Sequence, residues 1–173
     1  MLWRIVEISV NLALYFYNMT RFIGEYDCRL DNKGRVILPA SLKKQLPKEA
    51  DNQFVVNRGF EKYLVMYPKN EWDIITDEIN KLNQYVKENR DFIRYFYRGA
   101  TELTLDGAAR ILLPKRLLEY AGIGQDVVLF AHTNKIEIWS AESYNNILAN
   151  EPNDFAALAE KVMVKNNDAA NGN

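Results

Sequence analysis

The chain has 173 residues, 48% of them apolar and 26% charged, which is ordinary for a soluble globular protein of one domain or two small ones. Its 22 Lys and Arg stand against 23 Asp and Glu, a net charge of −1, so the chain as a whole is no polycation that grips nucleic acid non-specifically. A single cysteine, Cys28, excludes an intramolecular disulfide framework. A single histidine, His132, leaves no His/Cys cluster for zinc, and dinucleotide, Walker and nucleophile-elbow loops are absent.

Residues 1–18 are rich in apolar side chains but interrupted by Glu7, Ser9 and Asn11. They are shorter than the about 20 apolar residues of a membrane span. A secretion signal needs an unbroken apolar run and small residues at its cleavage site, and Glu7 and Tyr17-Asn18-Met19 supply neither. The better-patterned sequence opens at Met19-Thr20-Arg21-Phe22. The expectation is an over-long start over residues 1–18, ahead of a real added strand, and both ahead of export. The protein is expected in the cytoplasm, with no membrane partner.

Glu25-Tyr26-Asp27-Cys28-Arg29-Leu30 alternates polar and apolar, the period of a half-buried strand. Asp31-Asn32-Lys33-Gly34 is turn chemistry, because Asp and Asn bond nearby backbone and Gly takes positive φ. Arg35-Val36-Ile37-Leu38 has strand propensity, and Pro39 then suits the first turn of a short helix. Phe54-Val55-Val56 and Tyr63-Leu64-Val65-Met66 predict a hairpin about Asn57-Arg58-Gly59-Phe60. From about Glu71 to Tyr97, Trp72, Ile75, Ile79, Leu82, Val86, Ile93 and Phe96 recur at helical spacing, which predicts one long amphipathic helix. Val127–Phe130 and Ile136–Trp139 predict a second hairpin about His132-Thr133-Asn134. A short helix carrying Phe155, Leu158 and Val162 follows, and residues 165–173 are expected to be disordered.

The chain repeats itself. Leu30-Asp31-Asn32-Lys33-Gly34-Arg35-Val36-Ile37-Leu38-Pro39 aligns with Leu105-Asp106-Gly107-Ala108-Ala109-Arg110-Ile111-Leu112-Leu113-Pro114, an offset of 75 residues (106 minus 31). Each repeat reads as strand, D-x-x-x-R turn, strand, Pro-led short helix, strand pair and longer helix. The expected units are residues 19–98 and 99–164.

Arginine offers a planar fork of donors that fits phosphate or the O6/N7 edge of guanine. Aspartate in the same turn can brace that fork or cap the turn. Two readings stay open: a reader of DNA, or an ion pair that only pins its hairpin. Local charge tilts the first copy toward DNA. From Arg21 to Lys48, Arg21, Arg29, Lys33, Arg35, Lys43, Lys44 and Lys48 outnumber Glu25, Asp27 and Asp31 by four. From Arg98 to Glu119 the basic excess is one, with Arg98, Arg110, Lys115 and Arg116 against Glu102, Asp106 and Glu119. The candidate DNA-binding residues are Arg29, Asp31, Lys33, Arg35, Asp106 and Arg110, with the second repeat the more architectural. No nucleophile or metal ligand accompanies Asp31 and Asp106, so no enzyme, no cofactor and no small-molecule substrate are expected. Cys28 reads as a small hydrophobe and His132 as a surface turn residue.

The paired D-x-x-x-R motifs, each followed by an apolar run and Pro, resemble the MraZ family of bacterial transcriptional regulators. Phe22-Ile23-Gly24-Glu25-Tyr26 and Glu119-Tyr120-Ala121-Gly122-Ile123 add to the resemblance, which covers roughly Arg21 to Val164. It implies an α+β fold with a β-rich, swapped-hairpin (AbrB-like) barrel core built from two tandem repeats, with packed helices. It also implies a ring-like homo-oligomer at the nucleoid, bound to double-stranded DNA at repeated boxes upstream of the division and cell-wall gene cluster. Ala109 stands where the first motif has Gly34, and Lys43 and Leu118 stand where arginine is expected. The alternative is a structural oligomer or small enzyme that uses the Asp–Arg pairs.

Overall fold

A computed structural model describes residues 20–149, 152 and 154–170, so residues 1–18 and the last three lie outside the described residues. The elements are β1 (Phe22–Arg29), β2 (Arg35–Ile37), α1 (Ala40–Lys43), a 3-10 turn (Lys48–Ala50), β3 (Gln53–Arg58), β4 (Leu64–Pro68), α2 (Lys69–Asn80) and α3 (Lys87–Tyr97). They continue with β5 (Thr101–Thr104), β6 (Arg110–Leu112), α4 (Lys115–Ala121), β7 (Asp126–Thr133), β8 (Lys135–Ser140), α5 (Ala141–Leu148) and α6 (Phe155–Ala170).

The fold is α+β. Six strands form an antiparallel sheet in the order β1-β7-β8-β4-β3-β5, and β2 pairs with β6 in a separate ribbon. The large sheet is not closed; β1 and β5 are its edges. The two repeats exchange strands. β1 of the first pairs with β7 of the second, and β5 of the second pairs with β3 of the first. Each repeat thus lacks a complete sheet without the other.

Alternation sorts the strand residues by face. Phe54, Val56, Leu64, Met66, Leu129, Ile136 and Ile138 enter the main core with Val36, Ile111, Leu42 and Leu117 from the ribbon and the short helices α1 and α4. Gly122, at φ 63, ends α4 in the left-handed region that glycine enters without strain. At the β1 edge, the Gln45 side chain accepts the N–H of Ile23 at 2.9 Å and donates to its carbonyl at 3.0 Å. One side-chain amide thereby does the work of a neighbouring strand.

The long helix expected from Glu71 to Tyr97 is two helices. α2 stops at Asn80 and α3 starts at Lys87. Asn83 sits in the break: its Oδ1 accepts the N–H of Tyr85 at 2.9 Å, and Arg90 donates to the carbonyls of Gln84 and Tyr85 at 2.8 and 3.0 Å. Side-chain competition for backbone groups favours a turn over helix there. The chain folds back so that Trp72 of α2 stacks on Phe96 of α3, ring centroids 5.2 Å apart. Helical spacing persists across the break because both arms pack into one aromatic cluster.

His132, expected in a surface turn, forms with Lys135 the last pair of the β7–β8 ladder, next to the turn at Thr133-Asn134. Its Nε2 lies 3.1 Å from Oε1 of Glu137, which also receives Lys135 Nζ at 3.2 Å, while Trp139 Nε1 donates to Oε2 at 3.0 Å. Burial works against the Glu137 charge, but the hydrogen bonds from His132, Trp139 and Lys135 outweigh it and hold the carboxyl below its ordinary range.

By contact the chain divides into one unit ending at Ala141 and a second beginning at Glu142. The second carries most of α5 and all of α6. Helix α6 runs to Ala170 and so takes in residues 165–170, where disorder was expected.

Candidate nucleic-acid interface

Both D-x-x-x-R turns are built the same way. In the first, Asp31 Oδ1 accepts the backbone N–H of Lys33 at 2.8 Å and of Arg35 at 3.0 Å. Asp31 Oδ2 takes Arg35 Nε and Nη2, each at 2.6 Å. In the second, Asp106 Oδ1 accepts the N–H of Ala108 and of Arg110, each at 2.9 Å, and Oδ2 takes Arg110 Nε at 2.8 Å. The backbone closes alike, with Gly34 N–H on the Asp31 carbonyl and Ala109 N–H on the Asp106 carbonyl, both 2.9 Å. The backbone N–H of Arg35, then its guanidinium and the N–H of Lys33, hold the Asp31 carboxyl down at about 2. Asp106 is lowered by the same set, the N–H and guanidinium of Arg110 and the N–H of Ala108.

The turn chemistry therefore survives the change from Gly34 to Ala109. Gly34 has φ 81 and Ala109 has φ 57. Both are left-handed, and alanine tolerates that region only near its narrow centre.

Each turn feeds one strand of the β2–β6 ribbon. Val36 faces Ile111 at its middle, and both are fully buried. Arg35 lies opposite Leu112, and Ile37 opposite Arg110. Leu38 N–H on the Ala109 carbonyl at 2.9 Å and Leu113 N–H on the Gly34 carbonyl at 3.0 Å extend the ladder at both ends. By alternation, Arg35, Ile37, Arg110 and Leu112 share the face turned away from the core. The arginines occupy opposite corners of that face. Between them, Ile37 is 60% and Leu112 55% exposed.

Across this geometry, a family model described as "MraZ protein, putative antitoxin-like" matches residues 21–95 and again residues 96–166. This chain belongs to the MraZ family. It is 42% identical over 151 residues to the "Transcriptional regulator MraZ" of Flavobacterium psychrophilum, covering 87% of this chain and 96% of that protein. It is 41% identical over 146 residues to the protein of the same name from Christiangramia forsetii, covering 84% of this chain and 94% of the relative. With that of Clostridium beijerinckii it shares 42% over 142 residues, 82% of this chain and 96% of the relative. Each stretch matched by the MraZ model holds one turn, Asp31–Arg35 in the first and Asp106–Arg110 in the second.

Of the six candidate residues, the structure brings Asp31, Arg35, Asp106 and Arg110 to one ribbon. Lys33 stands exposed at the tip of the first turn. Arg29 lies off the ribbon on β1, where its guanidinium donates to Gln125 Oε1 at 2.8 Å and lies 3.7 Å from Asp126. A cleft of about 620 Å³ beside the first turn is walled by Leu30–Gly34 on one side and Leu112–Lys115 with Gln125 on the other. Lys115, counted among the basic residues of the second repeat but not among the candidates, is an exposed cation on this cleft. Ile37 and Leu112 were readable as outward residues, since each neighbours a buried strand position. Among the described residues, no group of three or more His, Cys, Asp or Glu could hold a metal ion. No helix of the described residues is long and apolar enough to cross a membrane.

Proposed function

We propose that this protein is a sequence-specific, DNA-binding transcriptional regulator, with the β2–β6 ribbon as its reading element. One observation carries the reading: two arginines, each gripped by an aspartate, stand at opposite corners of the outward face of a two-stranded antiparallel ribbon. The major groove of duplex DNA admits such a ribbon. A guanidinium fixed by Asp31 or Asp106 loses little freedom on meeting guanine or phosphate, because its orientation is already set. Ile37 and Leu112 supply apolar contact of the kind that suits a thymine methyl. Lys33, Lys115 and Arg29 flank the ribbon as phosphate contacts that set register without reading sequence. The names of the relatives, transcriptional regulators, agree with this use.

A chain of net charge −1 makes each single contact weak, so the protein acts as an assembly. The strand exchange between repeats supports the swapped-hairpin reading of the family resemblance. The edge β5, the stretch of the β1 edge beyond the Gln45 contact at Ile23, and the exposed Phe60, Tyr85, Phe92 and Tyr95 support a ring-like homo-oligomer larger than a dimer. A ring repeats the ribbon at fixed spacing, and engaging successive DNA boxes then becomes intramolecular. Following the family resemblance, those boxes lie upstream of the division and cell-wall genes, its own promoter among them, which places the protein at the nucleoid in the cytoplasm.

The test is a gel shift on DNA from upstream of its own gene. Tight binding to several boxes and weak binding to one is expected. No shift at low salt, or equal affinity for one box and several, would refute the reading and favour a structural oligomer or an enzyme. Light scattering that gave a 20.1 kDa monomer at working concentration would refute the assembly.

A further inference from the structure

Glu71 is a buried carboxylate that meets no cation among the described residues. It stands in the first turn of α2 and is 1% exposed. The ion pairs among the described residues leave it out. Its Oε2 accepts Asn134 Nδ2 at 3.0 Å, and its Oε1 accepts the backbone nitrogen of Thr20 at 3.0 Å. Thr20 is itself buried. Asn70 Nδ2 lies 3.5 Å from the same Oε1, and two buried oxygens beside the carboxylate, Thr20 Oγ1 and Asn70 Oδ1, have no hydrogen-bond partner. A carboxylate withdrawn from water is costly unless a cation and further donors meet it. An amide nitrogen at Thr20 brings one proton and no charge. An ammonium at the same atom brings three protons and a positive charge.

We propose that the working protein begins at Thr20, and that the α-ammonium of Thr20 is the cation held by Glu71. Translation starts at Met19. A methionine aminopeptidase then adds water across the Met19–Thr20 amide. The acyl carbon leaves as the carboxylate of free methionine, and the Thr20 nitrogen keeps its bonding pair and takes up a proton. Threonine, with its small side chain, suits such enzymes as the second residue. The family model opens at residue 21. The first three relatives align over 94–96% of their own lengths but only 82–87% of this chain. The pair ties the entry of β1 to α2, and through Asn134 to the β7–β8 turn. It stands whether or not the ribbon binds DNA.

The first test is the intact mass of untagged protein made from its native upstream DNA. A mass beginning at Thr20 with a free amine is expected; a mass including residues 1–18, or one retaining Met19, overturns the proposal. The second test compares Glu71→Gln in the chain begun at Thr20 and in the chain retaining residues 1–19. Charge-assisted bonds are the stronger ones, so the substitution should weaken the folding equilibrium at least about tenfold more in the Thr20 chain. Equal losses in the two chains overturn the ion pair. If Glu71→Gln does not fold, acylation of the Thr20 amine decides in its place. A rate slower in folded than in urea-unfolded protein is expected, and equal rates overturn the pairing.

Discussion

Gly34→Ala puts alanine into the first turn at the position where the second turn already carries it, and the structure says the two sites will not respond alike. At φ 81 the new residue lies beyond the roughly +50 to +70° that side chains accept in the left-handed region, where even a well-placed residue pays about 1–2 kcal/mol. A Cβ there meets Leu118 Cδ1 at 3.3 Å and the Leu113 carbonyl oxygen at 3.5 Å. The leucine tip can turn aside and the carbonyl stands at ordinary contact distance, so the cost lies in the backbone angle and not in lack of space. The loss of unfolded-chain freedom returns about 0.4–1 kcal/mol. The net expectation is a loss of about 1 kcal/mol, or about 2–4 °C in Tm for a domain of this size. Ala109→Gly relieves a similar strain but adds unfolded-chain entropy worth about 0.5–1 kcal/mol and gives up part of a methyl contact, so it should stay within about 0.5 kcal/mol of wild type. Urea unfolding at fixed chain concentration, with the midpoint compared at unchanged m, reads both. A Gly34→Ala protein as stable as wild type, or an Ala109→Gly protein that falls as far, would refute this account of the turns.

Acid should act through the same turns: Asp31 titrates at about 2 and Asp106 is lowered as well, against about 3.9 for an unfolded aspartate. Their contribution is complete above about pH 4 and is lost as pH falls toward about 2, so Asp31→Asn with Asp106→Asn should flatten the urea midpoint over that window; an unchanged slope would count against the bracing. Lys33→Ala should lower the salt dependence of DNA binding by about 0.9 per engaged contact, read from affinities at several salt concentrations. Leu42→Ala removes a fully buried side chain and should cost about 2–5 kcal/mol in urea unfolding; a loss under about 1 kcal/mol would mean that α1 does not belong to the core.

The strands and turns were legible because the chain says them twice: Leu-Asp-x-x-x-Arg before an apolar run and Pro marks both ribbon strands and both braces. What pairs with what was not legible. Alternation assigns faces but not partners, so nothing in Glu25–Leu30 announces that β1 leaves its own repeat for β7. The break at Asn83 was hidden for a related reason, since Trp72 and Phe96 serve one cluster from two helices and so keep one spacing. The equality of the two turns was obscured by Ala109, whose left-handed φ no local sequence rule would choose. Lys115 reached the cleft only through the pairing of β6 with β2.

On the proposed function, the ribbon's outward arginines read DNA. Gel-shift affinities of Arg35→Ala and Arg110→Ala, both first shown to be folded and of wild-type oligomeric state, on the multi-box DNA upstream of the gene test it most directly. Each bidentate contact is worth about 1–3 kcal/mol, and the loss recurs in every engaged subunit. Arg35→Ala should therefore abolish or severely weaken binding, and Arg110→Ala should weaken it less, because Ala108 stands in its turn where Lys33 stands in the first. Wild-type affinity and an unchanged salt slope in both variants would mean that neither arginine touches DNA.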